Sequence, residues 1–136
     1  MKLKPCTILL AITCLQIITN NKGGVALYIK NSIPVMVKPA QTIIRNDIET
    51  TFADLSTPSG IITVGLMYKR SVDISTENFS IALEEIISSL DPNIKNYIMG
   101  DFKINLLDYS TFPPVENFLN LVISCNYYPV ITAQLV

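Results

Sequence analysis

Two short polar stretches of this sequence carry residue types that could do chemistry, and each follows an apolar run. Asp101 follows residues 97–100, and a carboxylate just past a strand can orient a water molecule or bind a hard divalent cation. Tyr68, Lys69 and Arg70 end a second apolar run, where a phenol beside two cations can bind a phosphate group. The structural alternatives are a carboxylate that caps a turn and a strand that ends in solvated charges.

The composition limits which reactions are available. The 136 residues include no histidine, which excludes Ser-His and Cys-His nucleophile pairs, a histidine general base and histidine-ligated zinc. Chemistry must therefore use Asp, Glu, Lys, Tyr, Asn, Ser or Cys. The net charge of −1 shows no basic excess of the kind that marks nucleic-acid-binding domains. A hydrophobic fraction of 49% is enough to form the core of one small domain.

These candidate residues need strands to position them, and the apolar patterning predicts several. The continuous apolar run 61–68 indicates a strand buried on both faces, and residues 97–99 indicate a shorter buried strand. A turn at 57–60 is short enough to join strand 61–68 to its predecessor as an antiparallel hairpin. The remaining predicted strands are 25–30, 35–37, 42–45, 49–55 and 127–132.

Two helices are predicted between and after these strands. Apolar side chains recur at helical spacing over residues 77–90, Ser75 or Thr76 can cap the start, and Asp91-Pro92 ends the run. A second helix is predicted from about Pro114 to Ser124. The order of strands, helix, strand, helix and strand predicts an α/β fold with a mixed sheet.

The N-terminal 21 residues form a separate segment of uncertain status. Lys2 and Lys4 precede an apolar run, which resembles a signal peptide, although small residues are missing at the expected cleavage position. The run is shorter than the roughly 20 residues that a membrane span requires. The alternatives are a targeting signal, with secretion, and a segment that is merely apolar or results from a spurious translation start.

Five segments, taken in order, resemble parts of one known family. They are residues 22–29 (KGGVALYI), Glu49 with 53–55, residues 62–70 (ITVGLMYKR), residues 97–107 (YIMGDFKINLL) and residues 118–132. Their order and spacing resemble the endonuclease/exonuclease/phosphatase superfamily. The most similar branch is the abasic-site-type endonuclease domain of LINE-like (non-long-terminal-repeat) retrotransposons.

The resemblance implies a two-sheet α/β sandwich, formed here by residues 22–136 and incomplete at both ends. Active members of the family cleave a phosphodiester in DNA with a divalent cation, usually Mg²⁺. By motif, Tyr68 corresponds to the tyrosine that hydrogen-bonds the scissile phosphate. Asp101 corresponds to the aspartate that positions or deprotonates the attacking water, and it is also our candidate metal ligand. The resemblance also implies two partners, DNA and a larger polyprotein with reverse transcriptase. It implies an intracellular or nuclear location as well.

The departures from the family pattern determine the functional hypothesis. Lys103 stands where the family has asparagine, and it brings a positive charge and no acceptor. The family's early Asn and metal-binding Glu have no counterpart in residues 1–21, and its closing Asp-His pair has none either. We therefore expect a degenerate, catalytically inactive fragment of a retrotransposon endonuclease domain. The alternatives are a non-enzymatic secreted or interaction module and a residual metal-dependent phosphodiesterase.

Overall fold

The computed structural model describes residues 15–19, 25–42, 44–45, 48–69 and 75–130. Its strands are β1 (Leu15–Thr19), β2 (Ala26–Lys30), β3 (Val35–Val37), β4 (Ile44–Arg45), β5 (Ile48–Thr57), β6 (Gly60–Lys69) and β7 (Lys95–Asp101). Its helices are α1 (Thr76–Ser89) and α2 (Pro113–Ser124), with short 3-10 helices at Pro39–Gln41 and Leu106–Ser110. The α/β class with a mixed sheet is therefore confirmed.

The main sheet is built around the long hairpin of β5 and β6. These strands pair antiparallel from Ile48 opposite Lys69 to Thr57 opposite Gly60, as the turn at 57–60 predicts. β3 and β4 pair antiparallel with β5 on its other side, while β7 pairs parallel with β6. A parallel neighbour requires a crossover, and α1 lies between β6 and β7 in the chain. A second sheet consists of β1 and β2, paired antiparallel.

Both predicted helices are present, and the local sequence explains where they begin. Ser75 is the N-cap of α1, and its side-chain oxygen accepts a hydrogen bond from the Asn78 backbone N–H at 3.1 Å. Glu77 lies in the first turn, where a negative charge interacts favourably with the helix dipole. Helix α2 begins with proline at its first position, where no intrahelical N–H bond is lost.

The two faces of the main sheet are buried against different elements. Because side chains alternate along a strand, Phe52 and Met67 point to one face and Ala53 and Val64 to the other. The first face packs against the two helices in a cluster that contains Ile48, Phe52, Met67, Phe79, Leu83, Ile86, Ile87, Leu90, Phe118 and Val122. The second packs against β2 in a cluster that contains Leu27, Ile29, Ala53, Leu55 and Val64.

Two glycines allow the sheet and its core to come close together. A Cβ built on Gly65 would overlap the ring of Phe52, which lies opposite it on the helix-covered face. A Cβ built on Gly100 would collide with the backbone carbonyl oxygen of Met67, and Gly100 also has φ of 154°. Gly100 therefore permits the close approach of β7 to β6 at the point where Asp101 follows.

The structure corrects three expectations from the sequence. β1 was not predicted, because the apolar run before residue 20 lacks strand punctuation, yet its backbone pairs with β2. Residues 127–130 form no strand, and 131–132 lie outside the described residues. Tyr97 and Met99 are 50% and 49% exposed rather than buried, because β2 packs over β5 and β6 and not over β7.

In the described part of the chain, no helix is both long enough and apolar enough to cross a membrane.

Candidate functional site

Three polar residues form a row across three strands of the main sheet, next to the end where β6 and β7 finish. Tyr68 pairs with Glu49 of β5 on one side and with Asp101 of β7 on the other. Residues that are partners in register share a face, so these three side chains leave the same face of the sheet. The parallel pairing of β6 and β7 also brings the C-terminal ends of both strands to one edge. The structure therefore brings together Tyr68 and Asp101, which the sequence predicts only as separate strand ends.

Lys103 binds the Asp101 carboxylate through two of its own groups. Its ammonium Nζ lies 2.8 Å from Oδ2, and its backbone N–H donates to Oδ1 at 3.2 Å. This geometry needs a left-handed turn, and Lys103 has φ of 51°. The same Nζ lies 5.5 Å from the centre of the Tyr68 ring, within the range of a cation–π contact. Lys103 is thereby held against both predicted site residues.

The Asp101–Lys103 pair shifts the titration of both groups. The hydrogen bond from the Lys103 ammonium lowers the pKa of Asp101, with smaller contributions from the Lys103 backbone N–H and charge. The same hydrogen bond raises the pKa of Lys103. The Asp101 side chain is 58% exposed, so the pair is a surface feature and not part of the core. Its carboxylate is a weakened proton acceptor.

Lys69, the predicted substrate-binding lysine, is the register partner of Ile48 and is buried on the opposite face of the sheet from Tyr68 and Asp101. It is only 3% exposed, although it ends a strand. Burial lowers its pKa, and the positive charge of Lys103 lowers it further. Arg70, the other predicted substrate-binding residue, lies outside the described residues.

Glu49 is the third member of the row, and the sequence alone did not indicate it as a site residue. Its side chain is 1% exposed, and it has an interaction of its own. The hairpin turn at 57–60 is the sequence feature that could have located Glu49 beside Tyr68. Once Thr57 pairs with Gly60, counting back along both strands places Glu49 opposite Tyr68.

A partly open cavity of about 350 Å³ lies on the helix side of the sheet, with Asp101 and Lys103 in its wall. Its walls are mostly apolar and come from α1, α2, β7 and residues 127–129. Phe102 and Phe118 contribute aromatic rings, while Asp101 and Lys103 contribute charge. The size and lining fit a small apolar group more closely than a polar one.

The resemblance implies Mg²⁺ at Asp101, and the residues present do not fit that ion. Mg²⁺ requires carboxylate or water oxygens in near-octahedral array. Both Asp101 oxygens already accept hydrogen bonds from Lys103, whose ammonium would repel a divalent cation at that position. No cluster of three or more Asp, Glu, Cys or His side chains arranged for a metal occurs in the part of the chain that the structure describes.

Comparisons with known proteins do not assign the chain to a family. A scan against protein-family models finds no match, and a search of curated proteins finds no similar protein. The endonuclease resemblance is therefore taken up below as a proposal.

Proposed function

We propose that this chain is a degenerate portion of an endonuclease/exonuclease/phosphatase-type domain, of the kind found in LINE-like retrotransposons, and that it no longer hydrolyses phosphodiesters. The observation that carries the proposal is the contact between Lys103 and Asp101. Tyr68 and Asp101 are neighbours across β6 and β7, as a shared phosphodiester site requires. The Lys103 ammonium, however, lies 2.8 Å from the Asp101 oxygen that a cation or water would contact.

The layering of the chain supports the same ancestry. Helices cover one face of the main sheet, and the smaller β1–β2 sheet lies against the other through Leu27 and Ile29. This layering is compatible with the two-sheet sandwich that the resemblance implies. We extend the proposal to that sandwich, and to DNA and a larger polyprotein as the ancestral partners.

Loss of hydrolysis follows from the chemistry of the site. A general base must accept a proton from water, and its effectiveness falls as its pKa falls. The pKa of Asp101 is lowered, and both of its oxygens are hydrogen-bonded to Lys103. The sequence contains no histidine to take over this role. Tyr68 remains as a group that can hydrogen-bond a phosphate without cleaving it.

Nicking of supercoiled plasmid DNA in the presence of Mg²⁺ tests the proposal. We expect no nicking by the wild-type protein above the level of the Asp101→Ala variant. Robust nicking by the wild type that Asp101→Ala abolishes would contradict the loss of activity. The residual metal-dependent phosphodiesterase would then be the better description.

A second candidate is a non-enzymatic secreted or interaction module. The apolar cavity favours it, because Tyr128 at its wall is 67% exposed and Val130 beyond it is 92% exposed. Mass spectrometry of protein collected from cells and from medium tests this candidate. N-terminally processed protein in the medium supports it, whereas intact Met1 found only inside cells counts against it.

A further inference from the structure

Strand β7 is an open edge of the main sheet. Within the described residues it pairs only with β6, so its other side presents backbone N–H and C=O groups to which a further strand can bind. Its seven residues, Lys95–Asp101, include no proline, and none of them is buried. The other side of the sheet is different, because β3 has only three residues and lies between Pro34 and Pro39. Short strands and prolines prevent further pairing, whereas a long open strand favours it.

The side chains on one face of β7 alternate in a pattern that a partner strand could match. Tyr97 and Met99 are 50% and 49% exposed on the face that β2 does not cover. Lys95 and Asp101 share that face and lie at the two ends of the strand, and both are exposed. The Asp101 carboxylate can accept a hydrogen bond from a second ammonium besides those from Lys103, because its two oxygens offer about four acceptor sites. Two apolar side chains thus lie between a positive and a negative charge.

An antiparallel second copy of β7 complements this pattern. When Ile98 lies opposite Ile98 of the second copy, Lys95 lies opposite Asp101. Tyr97 then lies opposite Met99, where sulfur and ring can make a favourable contact. Each of these pairs occurs twice, because the arrangement has a twofold axis. Parallel pairing in register would instead place like charges opposite each other, and a shift by two residues would break both lysine–aspartate pairs.

We propose that two copies of this chain associate through β7, antiparallel and with Ile98 at the twofold axis, so that one sheet continues through both copies. The backbone groups at the edge supply hydrogen bonds, and the charges at the strand ends select the direction and register. Seven residues are far fewer than the roughly 20–30 per partner of a stable interface. We therefore expect a weak dimer, with a dissociation constant on the order of 100 µM.

Sedimentation equilibrium of the full chain, at concentrations below and above this constant, tests the dimer. We expect a monomer–dimer equilibrium, with amide hydrogen exchange in residues 95–101 slowing as the dimer forms. Lys95→Glu should weaken association at least about tenfold, because it places two carboxylates opposite each other at both ends of the strand pair. Lys30→Glu is the matched control, since it makes the same charge change at an exposed lysine of β2, and it should alter association by less than about twofold.

A charge exchange between two variants tests the register. Asp101→Lys alone should associate as poorly as Lys95→Glu, because it places two ammonium groups opposite each other. An equimolar mixture of the two variants should form heterodimers, since every charged pair across the strands is again opposite in sign. Association in the mixture also shows that both variants are folded, and circular dichroism of each alone provides a second check.

Three results would overturn the inference. They are a wild type that stays monomeric at every concentration, an equal effect of Lys95→Glu and Lys30→Glu, and a mixture of the exchanged variants that associates no better than either alone. A dimer with unchanged hydrogen exchange in residues 95–101 would likewise place the contact on another surface. Nicking of DNA does not enter any of these measurements, so the proposed loss of hydrolysis is judged separately.

Discussion

Lys103 donates to both oxygens of Asp101, with its backbone N–H at 3.2 Å from Oδ1 and its ammonium at 2.8 Å from Oδ2. The two residues are separated by one position, so the contact closes a tight loop directly after β7. A neutral amide at position 103 would leave one carboxylate oxygen without this charged donor. Lysine at position 103 therefore gives the site a positive charge of its own, which a neutral amide there would not supply.

Replacement of Lys103 should restore ordinary titration to Asp101. The ammonium hydrogen bond is the largest cause of the lowered pKa, so we expect Lys103→Met to raise the pKa of Asp101 toward its usual range. Carboxyl ¹³C chemical shifts measured across acidic pH follow this directly. At protein concentrations too low for two β7 strands to pair, Lys95→Met, at the other end of β7, should leave the Asp101 titration unchanged.

The same pair predicts the direction of a pH effect on stability. The folded-state pKa of Asp101 is below its unfolded value, so its contribution is present above the unfolded pKa and disappears as the pH falls through the folded one. The effect should be small, because the carboxylate is 58% exposed and screened by solvent. Wild type and Lys103→Met should therefore differ only slightly in acid unfolding, and an Asp101 pKa that is the same in both proteins would contradict the contact.

The start of helix α1 offers a test of a local prediction. Ser75→Ala removes the acceptor for the Asn78 backbone N–H, and we expect it to lower the free energy of unfolding by about 1 kcal/mol. Urea unfolding followed by circular dichroism measures this change. Ser80→Ala is the control, because the Ser80 hydroxyl donates within the helix to Thr76 O and alanine has the higher helix propensity. An equal loss in both variants would contradict the assignment of the cap.

Local signals of this kind account for most of what the sequence predicts correctly. The caps and 3.6-residue period of α1 are encoded within a few residues, as is the hairpin turn at 57–60. β1 and the exposed face of β7 depend instead on which elements pack together across the fold. Alternation along residues 95–101 does not reveal that β2 covers β5 and β6 while Tyr97 and Met99 stay half exposed.

The aromatic core between the helices and the sheet should be sensitive to loss of ring volume. Phe79 is 0% exposed, and its ring centre lies 5.4 Å from that of Phe102 and 6.3 Å from that of Phe118. We expect Phe79→Leu to lower the free energy of unfolding by about 1–2 kcal/mol through lost packing. Ile81 lies on the same helix and is 52% exposed. Ile81→Ala should therefore change the free energy of unfolding by less than about 0.5 kcal/mol. Similar losses would contradict the orientation of α1.

The candidate site was predictable in its parts and not in its arrangement. Tyr68 and Asp101 stand out because polar residues follow apolar runs, yet their adjacency depends on a parallel pairing that only the crossover through α1 creates. Glu49 could be found from the hairpin register but not from composition. The ion pair that occupies Asp101 depends on the left-handed backbone of Lys103, a conformation that lysine seldom adopts.

Gly100 connects the packing of the sheet to the position of Asp101, and Gly100→Ala should therefore affect both stability and the site. A Cβ at this position would meet the Met67 carbonyl, so β6 and β7 must separate to make room for it. The alanine must also adopt a φ that is unfavourable for any residue with a side chain. We expect a loss of about 2–4 kcal/mol in the free energy of unfolding, together with a changed Asp101 titration as the Lys103 contact is displaced.

Gly60→Ala is the control that separates these two causes. Gly60 also has a positive φ, 119°, but a Cβ there would meet nothing within 4 Å. Its cost should be the conformational one alone, about 1–2 kcal/mol, with the Asp101 titration unchanged because the hairpin turn lies at the far end of β6. A larger loss for Gly100→Ala shows that contact between the strands, and not backbone conformation, requires glycine before Asp101. Equal losses with an unchanged Asp101 titration would show that β7 tolerates the extra carbon, and that Asp101 is positioned by its loop and Lys103 instead of by the sheet.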